Sequence, residues 1–203
     1  MIIEIVGLPG SGKSSLYQKI INKDDYSTHF FLKRESIKTY IIYVFFLPLF
    51  LKALLIGRKR VYLLNIRNMI RMYFHNVENN SDKIIIDQGP FFDLVELLNE
   101  KILLKKSLYY YILIFFIKNI KNYSIVSLNV PYELALNRIN SRAKDHRLKN
   151  INKFKAIKIL KNFDLTIKFV FSKIEKISIL VLDGRENIQI NCNIINEYFK
   201  QDK

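Results

Sequence analysis

Residues 7–14 read Gly7-Leu8-Pro9-Gly10-Ser11-Gly12-Lys13-Ser14, followed by Ser15. The spacing fits G-x-x-x-x-G-K-[ST]. Glycines at 7, 10 and 12 let the backbone turn tightly with no Cβ in the way, so successive N–H groups point inward. Such donors at the start of a helix suit a phosphate, because that end of the helix carries partial positive charge. In this pattern Lys13 bridges the β- and γ-phosphates of a nucleoside triphosphate, and the Ser14 hydroxyl binds Mg²⁺. ATP and Mg²⁺ are the expected cofactors, with Pro9, Ser11 and Ser15 completing the cradle.

Two further groups belong to the same chemistry. Asp87 closes the apolar run Ile84-Ile85-Ile86. An acid at the end of a parallel strand beside a phosphate loop holds Mg²⁺ through water or orients an acceptor. The same residue ahead of Gly89-Pro90 also suits a turn. Arg138 and Arg142 lie four apart on one helix face, and Arg147 follows in a polar segment. Guanidinium groups so placed clamp a transferring phosphoryl group. From Arg138 to Lys176 there are 12 basic and 3 acidic residues.

The elements that must position these groups are legible as a succession. Apolar runs predict strands over 1–6, 28–33, 83–87, 124–130 and 177–182. Helical patterns fill the intervals, over 13–22, 36–56, 60–78, 91–105, 107–121, 132–143, 151–176 and 187–200. Strands alternating with helices imply an α/β fold with a five-stranded parallel sheet. Function then sits at the carboxyl ends of the strands, where the motifs fall.

Composition narrows the classes. The 203 residues fit one domain, and 50% hydrophobic with 25% charged excludes a disordered or collagen-like chain. Cys192 is the single cysteine, so no internal disulfide forms and a reducing cytoplasm is the expected location. His29, His75 and His146 are too scattered for a metal cluster. The net charge is +15, of which residues 1–100 carry +3 and residues 101–203 carry +12. That field fits phosphates, nucleic acid or an anionic membrane. No cleavable signal is expected, since Glu4 stands where a basic start would be. Residues 40–56 form an apolar stretch broken only by Pro48 and Lys52. It reads as a buried helix kinked at Pro48, or as a membrane contact through 40–60 ending at Arg58-Lys59-Arg60.

With these residues in place, the chain resembles the nucleoside monophosphate kinases, and the thymidylate kinases in particular. The phosphate loop is close to theirs. Lys33-Arg34-Glu35-Ser36 and Thr39 stand near their Arg-Glu-Pro-Gly segment and later Thr, though the Pro-Gly is absent. Asp87-Gln88 stands where they have Asp-Arg. Pro131, Ala135-Leu136-Asn137-Arg138, and Asp145 with Arg147 match the entry to their lid. Asp183-Gly184 falls near where they hold adenine. The resemblance implies a P-loop NTPase three-layer sandwich with a helical lid over about 138–155 and an acceptor-binding helical region over about 34–80. It also implies a small-molecule kinase in which Lys13, Asp87, Arg142 and Arg147 are catalytic. Arg138 would join the phosphate loop at the nucleotide, and Arg34, Glu35 and Gln88 would meet the acceptor.

Both departures fall on the acceptor side. A phosphate acceptor needs a cation, which Arg34 supplies; a hydroxyl acceptor needs a base, for which Glu35 or Asp87 would serve. The expectation is transfer to a nucleoside monophosphate or related metabolite. The alternatives are a hydroxyl acceptor such as a sugar or lipid-linked glycan intermediate, or a nucleic-acid-binding ATPase. Phe154, Phe163, Phe169 and Phe171 fit a buried helical stripe better than a base-stacking platform, which weighs against nucleic acid. Tyr109-Tyr110-Tyr111 fits a buried helix or a homodimer face.

Overall fold

The computed structural model describes residues 1–21, 37–48, 51, 66–67, 70, 72–73, 84–143 and 146–201. The strand expected over 28–33, together with Arg34, Glu35, Arg58-Lys59-Arg60, Asp145, His29 and His75, lies outside them. Most of the helix expected over 60–78 does too. In chain order the elements are β1 (Ile2–Gly7), α1 (Lys13–Ile21), α2 (Ile37–Phe45), β2 (Ile84–Ile86), α3 (Pro90–Asn99), α4 (Leu108–Lys118), β3 (Tyr123–Asn129), α5 (Tyr132–Asn140), α6 (Lys153–Phe171), β4 (Ser178–Asp183) and α7 (Ile188–Gln201).

The described strands form one parallel sheet in the order β2-β1-β3-β4. It has four strands where five were expected. β1, rich in isoleucine, is buried throughout and β3 nearly so, as central strands of a parallel sheet covered on both faces. In register, Gly7 faces Leu128 and Leu128 faces Leu182. The carboxyl ends of the strands therefore share one edge, with Asp87, Val130 and Gly184 just beyond it.

Helices cover both faces. Phe91, Leu94 and Leu97 of α3, Leu113 and Ile117 of α4, and Phe163, Ile167 and Val170 of α6 pack on one side. Leu16 and Ile20 of α1 and Cys192, Ile195 and Phe199 of α7 pack on the other. A smaller cluster joins α5 to α6 through Ala135, Leu136, Ile139, Leu148, Ala156 and Leu160. The expected three layers are present.

Helix ends follow local chemistry. Pro90 opens α3, where its missing N–H costs nothing. The Ser107 hydroxyl accepts from the Tyr110 N–H at the start of α4, and Asn152 accepts from the Phe154 N–H to cap α6. The helix expected over 91–105 ends at Asn99. Of the 40–56 segment, residues 40–48 and 51 are described, and they are not uniformly buried. α2 ends at Phe45, and only Phe46 among its neighbours is fully buried, while Tyr40, Ile41, Val44 and Leu47 are exposed. No helix among the described residues is long and apolar enough to cross a membrane.

Candidate functional site

The phosphate loop takes the strained path its glycines allow. Gly10 and Gly12 have φ of +85° and +100°, in the left-handed region that disfavours a side chain. Gly10 also has no room. A Cβ there would stand 2.2 Å from the Ala135 carbonyl oxygen, so α5 sits directly on the loop.

Lys13 folds back over the loop. Its Nζ donates to the carbonyls of Gly7 at 2.9 Å and Leu8 at 3.0 Å, and lies 5.5 Å from the Phe92 ring centroid. Burial pushes its ammonium down to about 8, with Arg142 pushing the same way and Asp87 and Glu96 opposing. A bound polyphosphate would offset that burial and hold Lys13 charged.

Ser14 and Asp87 meet as the sequence implied. The Ser14 hydroxyl donates to Asp87 Oδ2 at 2.8 Å across the β1–β2 boundary. Asp87 Oδ1 is buried without a hydrogen-bond partner. A hydroxyl beside a carboxylate with an unused oxygen fits a hard cation such as Mg²⁺, which binds one or two protein oxygens and takes its other ligands from phosphates and water. No cluster of three ligating side chains occurs among the described residues.

Two cavities flank the loop. One, of about 330 Å³, is lined by Gly10, Ser11, Ser15, Arg138, Gly184 and Asn191 among others. The other, of about 300 Å³, is lined by Lys13, Ser14, Asp87, Gln88, Glu96, Arg142, His146 and Arg147, with Phe92 and Phe163 as apolar walls. Arg142 borders both. Burial, then the charges of Arg147, Arg142 and Lys13, push the His146 imidazolium down. Cations thus converge on the second cavity. Gln88 lies there, where the resemblance expected an acceptor contact.

Two of the arginines expected at the site, Arg138 and Arg147, have side-chain partners within the protein. Arg138 Nη1 donates to the Gly184 carbonyl at 3.0 Å and the Ser11 carbonyl at 3.3 Å. It ties α5, the phosphate loop and the turn after β4 together. Arg147 pairs with Glu100 at the end of α3.

The sequence reading missed Glu4. Its carboxylate is fully buried and accepts from the N–H groups of Gly89 (3.1 Å), Phe91 (3.1 Å) and Phe92 (2.8 Å), and from the Tyr123 hydroxyl. It thereby pins the turn that carries Asp87 and the start of α3. Burial pushes Glu4 up to about 7 against those hydrogen bonds. Asp93, buried beside it, is pushed well above the usual carboxylate range by burial and by Glu4 and Glu96. Glu96 was also missed, because it becomes part of a site only when α3 lies beside the loop.

A phosphate loop between β1 and α1, on a parallel sheet with helices on both faces, is the P-loop NTPase architecture. Solved structures that share this fold include those of two proteins. Deoxyadenosine kinase from M. mycoides with bound dCTP matches with a TM-score of 0.59 and 18% identity, over 99% of this chain and 100% of that one. The same enzyme with the products dCMP and dCDP matches at 0.58 and 20%, over 100% of both chains. The YorR protein from Bacillus subtilis, in complex with phosphorylated GDP, matches at 0.59 and 14%, over 100% of this chain and 97% of that one. No protein-family model and no curated protein matches the sequence.

Proposed function

We propose that this chain is an ATP-dependent kinase that phosphorylates a nucleoside-type acceptor. The observation that carries this is the Ser14–Asp87 contact beside Lys13, at the floor of a cavity bordered by Arg142 and Arg147. In this reading the loop amides and Lys13 hold the triphosphate. The cavity of Arg138, Gly184 and Asn191 takes the donor's nucleoside. Ser14 and Asp87 would hold Mg²⁺, which when bound would supply neutralisation of phosphate charge. Arg142 and Arg147 close over the γ-phosphoryl group from the lid and exclude water, so that transfer to the acceptor outruns hydrolysis.

The lining of the second cavity favours a hydroxyl acceptor over a monophosphate. Asp87 and Glu96 put two carboxylates there, and Glu100 already neutralises Arg147. A hydroxyl must lose its proton as it attacks phosphorus, and a carboxylate receives it. A monophosphate would instead meet those carboxylates as like charges. The solved structures of similar fold include a deoxynucleoside kinase, which agrees with this choice. The thymidylate kinase resemblance implies a monophosphate, with Arg34 as its clamp.

The test is ADP formation from Mg-ATP by the purified protein, with nucleosides and nucleoside monophosphates offered separately and Lys13→Ala as control. Turnover with nucleosides, lost in the control, is the expected result. Turnover with monophosphates alone would overturn the acceptor assignment. Turnover with neither would overturn the kinase reading for nucleoside-type acceptors.

A further inference from the structure

Two helices carry the same outward pattern. Along and just beyond α2, Tyr40, Val44, Leu47 and Leu51 recur at i, i+4, i+7 and i+11. Into and along α4, Leu104, Leu108, Tyr111 and Phe115 recur at the same spacing. This spacing places Tyr40 and Val44 on one face of α2, with Leu47 and Leu51 beyond its end, and Leu108, Tyr111 and Phe115 on one face of α4, with Leu104 in the turn before it. In a water-soluble domain such a face normally turns to the core. Here each of the eight side chains is more than half exposed. The two stripes belong to one surface, because Phe45 and Phe46 pack against Tyr109 with ring centroids 5.6 Å and 5.4 Å apart. Contiguous apolar exposure on this scale marks a docking face.

Charge selects the occupant. The chain has 18 acidic residues, yet residues 36–77 and 101–132 contain none. The second stretch carries Lys101, Lys105 and Lys106 before α4, and Lys118 and Lys121 at its other end, all exposed. Both ends of the apolar stripe are therefore basic. A second copy docking by two-fold symmetry would set lysines against lysines whether the α4 helices ran parallel or antiparallel. An anionic surface supplies the charge this face lacks. Tyr40 and Tyr111 place an apolar ring and a polar hydroxyl where acyl chains give way to headgroups.

We infer that the α2–α4 face docks on an anionic lipid bilayer, lying in its surface without spanning it. The apolar stripes enter the headgroup boundary and the flanking lysines pair with lipid charge. This inference does not depend on the acceptor assigned above.

The experiment is vesicle co-sedimentation of the full chain. The expected result is binding to phosphatidylcholine vesicles that contain phosphatidylglycerol, with little binding to phosphatidylcholine alone and weakening as salt rises. Lys106→Gln with Lys118→Gln should weaken binding roughly fivefold per lysine. Leu108→Gln with Tyr111→Gln should weaken it at least about tenfold, since their side chains would otherwise leave water. Both pairs are exposed, and circular dichroism should show the fold retained. No binding to anionic vesicles overturns the inference, as does binding that neither pair changes. A soluble dimer that the Leu108/Tyr111 pair dissociates, with no vesicle binding, assigns the face to a second copy and overturns it too.

Discussion

Replacing Glu4 by glutamine should change how stability depends on pH. The carboxyl ionises at 4.5 in the exposed chain and at about 7 in the folded one. Below 4.5 both states hold the proton, and above 7 both have released it. Between those values the folded state keeps a proton that the unfolded state has lost. Stability must then fall as pH rises, by about 1.4 kcal/mol per pH unit and about 3 kcal/mol across the interval. Glutamine has no proton to lose, so this slope disappears. The amide replaces one acceptor oxygen with a donor facing backbone N–H groups, at a cost of about 1–3 kcal/mol per lost hydrogen bond. That cost is the same at every pH. Glu4 also helps to raise Asp93, so removing its charge eases the Asp93 titration in the variant; that too flattens the variant's curve and widens the difference. Urea unfolding of the two proteins from pH 4.5 to 7.5 provides the comparison. The wild type should lose about 3 kcal/mol more than the variant over that range. Parallel curves would refute the reasoning, because they would mean that Glu4 is ionised at the same pH folded and unfolded.

Gly10→Ala combines a positive φ with a 2.2 Å approach to the Ala135 carbonyl. It should cost at least about 2 kcal/mol and lower the melting temperature by roughly 4 °C or more. Asp87→Asn keeps an acceptor for Ser14 but removes the carboxylate charge. The Mg²⁺ concentration for half-maximal ADP formation should rise roughly tenfold or more, and the Lys13 ammonium should ionise at still lower pH, read from its side-chain NMR signal. Arg138→Gln removes the two bonds to the Gly184 and Ser11 carbonyls. Its KM for ATP should rise roughly tenfold, as expected for one or two charge-assisted bonds, and isothermal titration with a non-hydrolysable analogue should show the same loss.

The phosphate loop was legible because its requirements are local. Glycine spacing, the preceding strand and the following helix all lie within the first 21 residues. Asp87 was legible for a similar reason, since a strand end is visible as Ile84-Ile85-Ile86 before an acid. Glu4 offered only a faint signal, a charge inside Ile2-Ile3-Glu4-Ile5-Val6. Three of its four partners are backbone N–H groups 85 to 88 positions away, and backbone donors leave no trace in side-chain identity; the fourth is the Tyr123 hydroxyl, from a distant strand. The partners of Arg138 were hidden likewise, because both are carbonyls. The helix over 40–56 was expected to be buried because apolar composition alone does not say which way a face turns. Of its neighbours, Phe46 turned inward and Val44 outward.

The Arg138 tie fastens the phosphate cradle to its surroundings. One guanidinium joins the C-terminal part of α5 to the phosphate loop and to the turn after β4. Swinging α5 as a rigid arm would tear that joint and drag the loop that cradles the triphosphate. Under the proposed closure, Arg142 and Arg147 would therefore have to approach the nucleotide without carrying α5 along, so that the cradle beneath stays still.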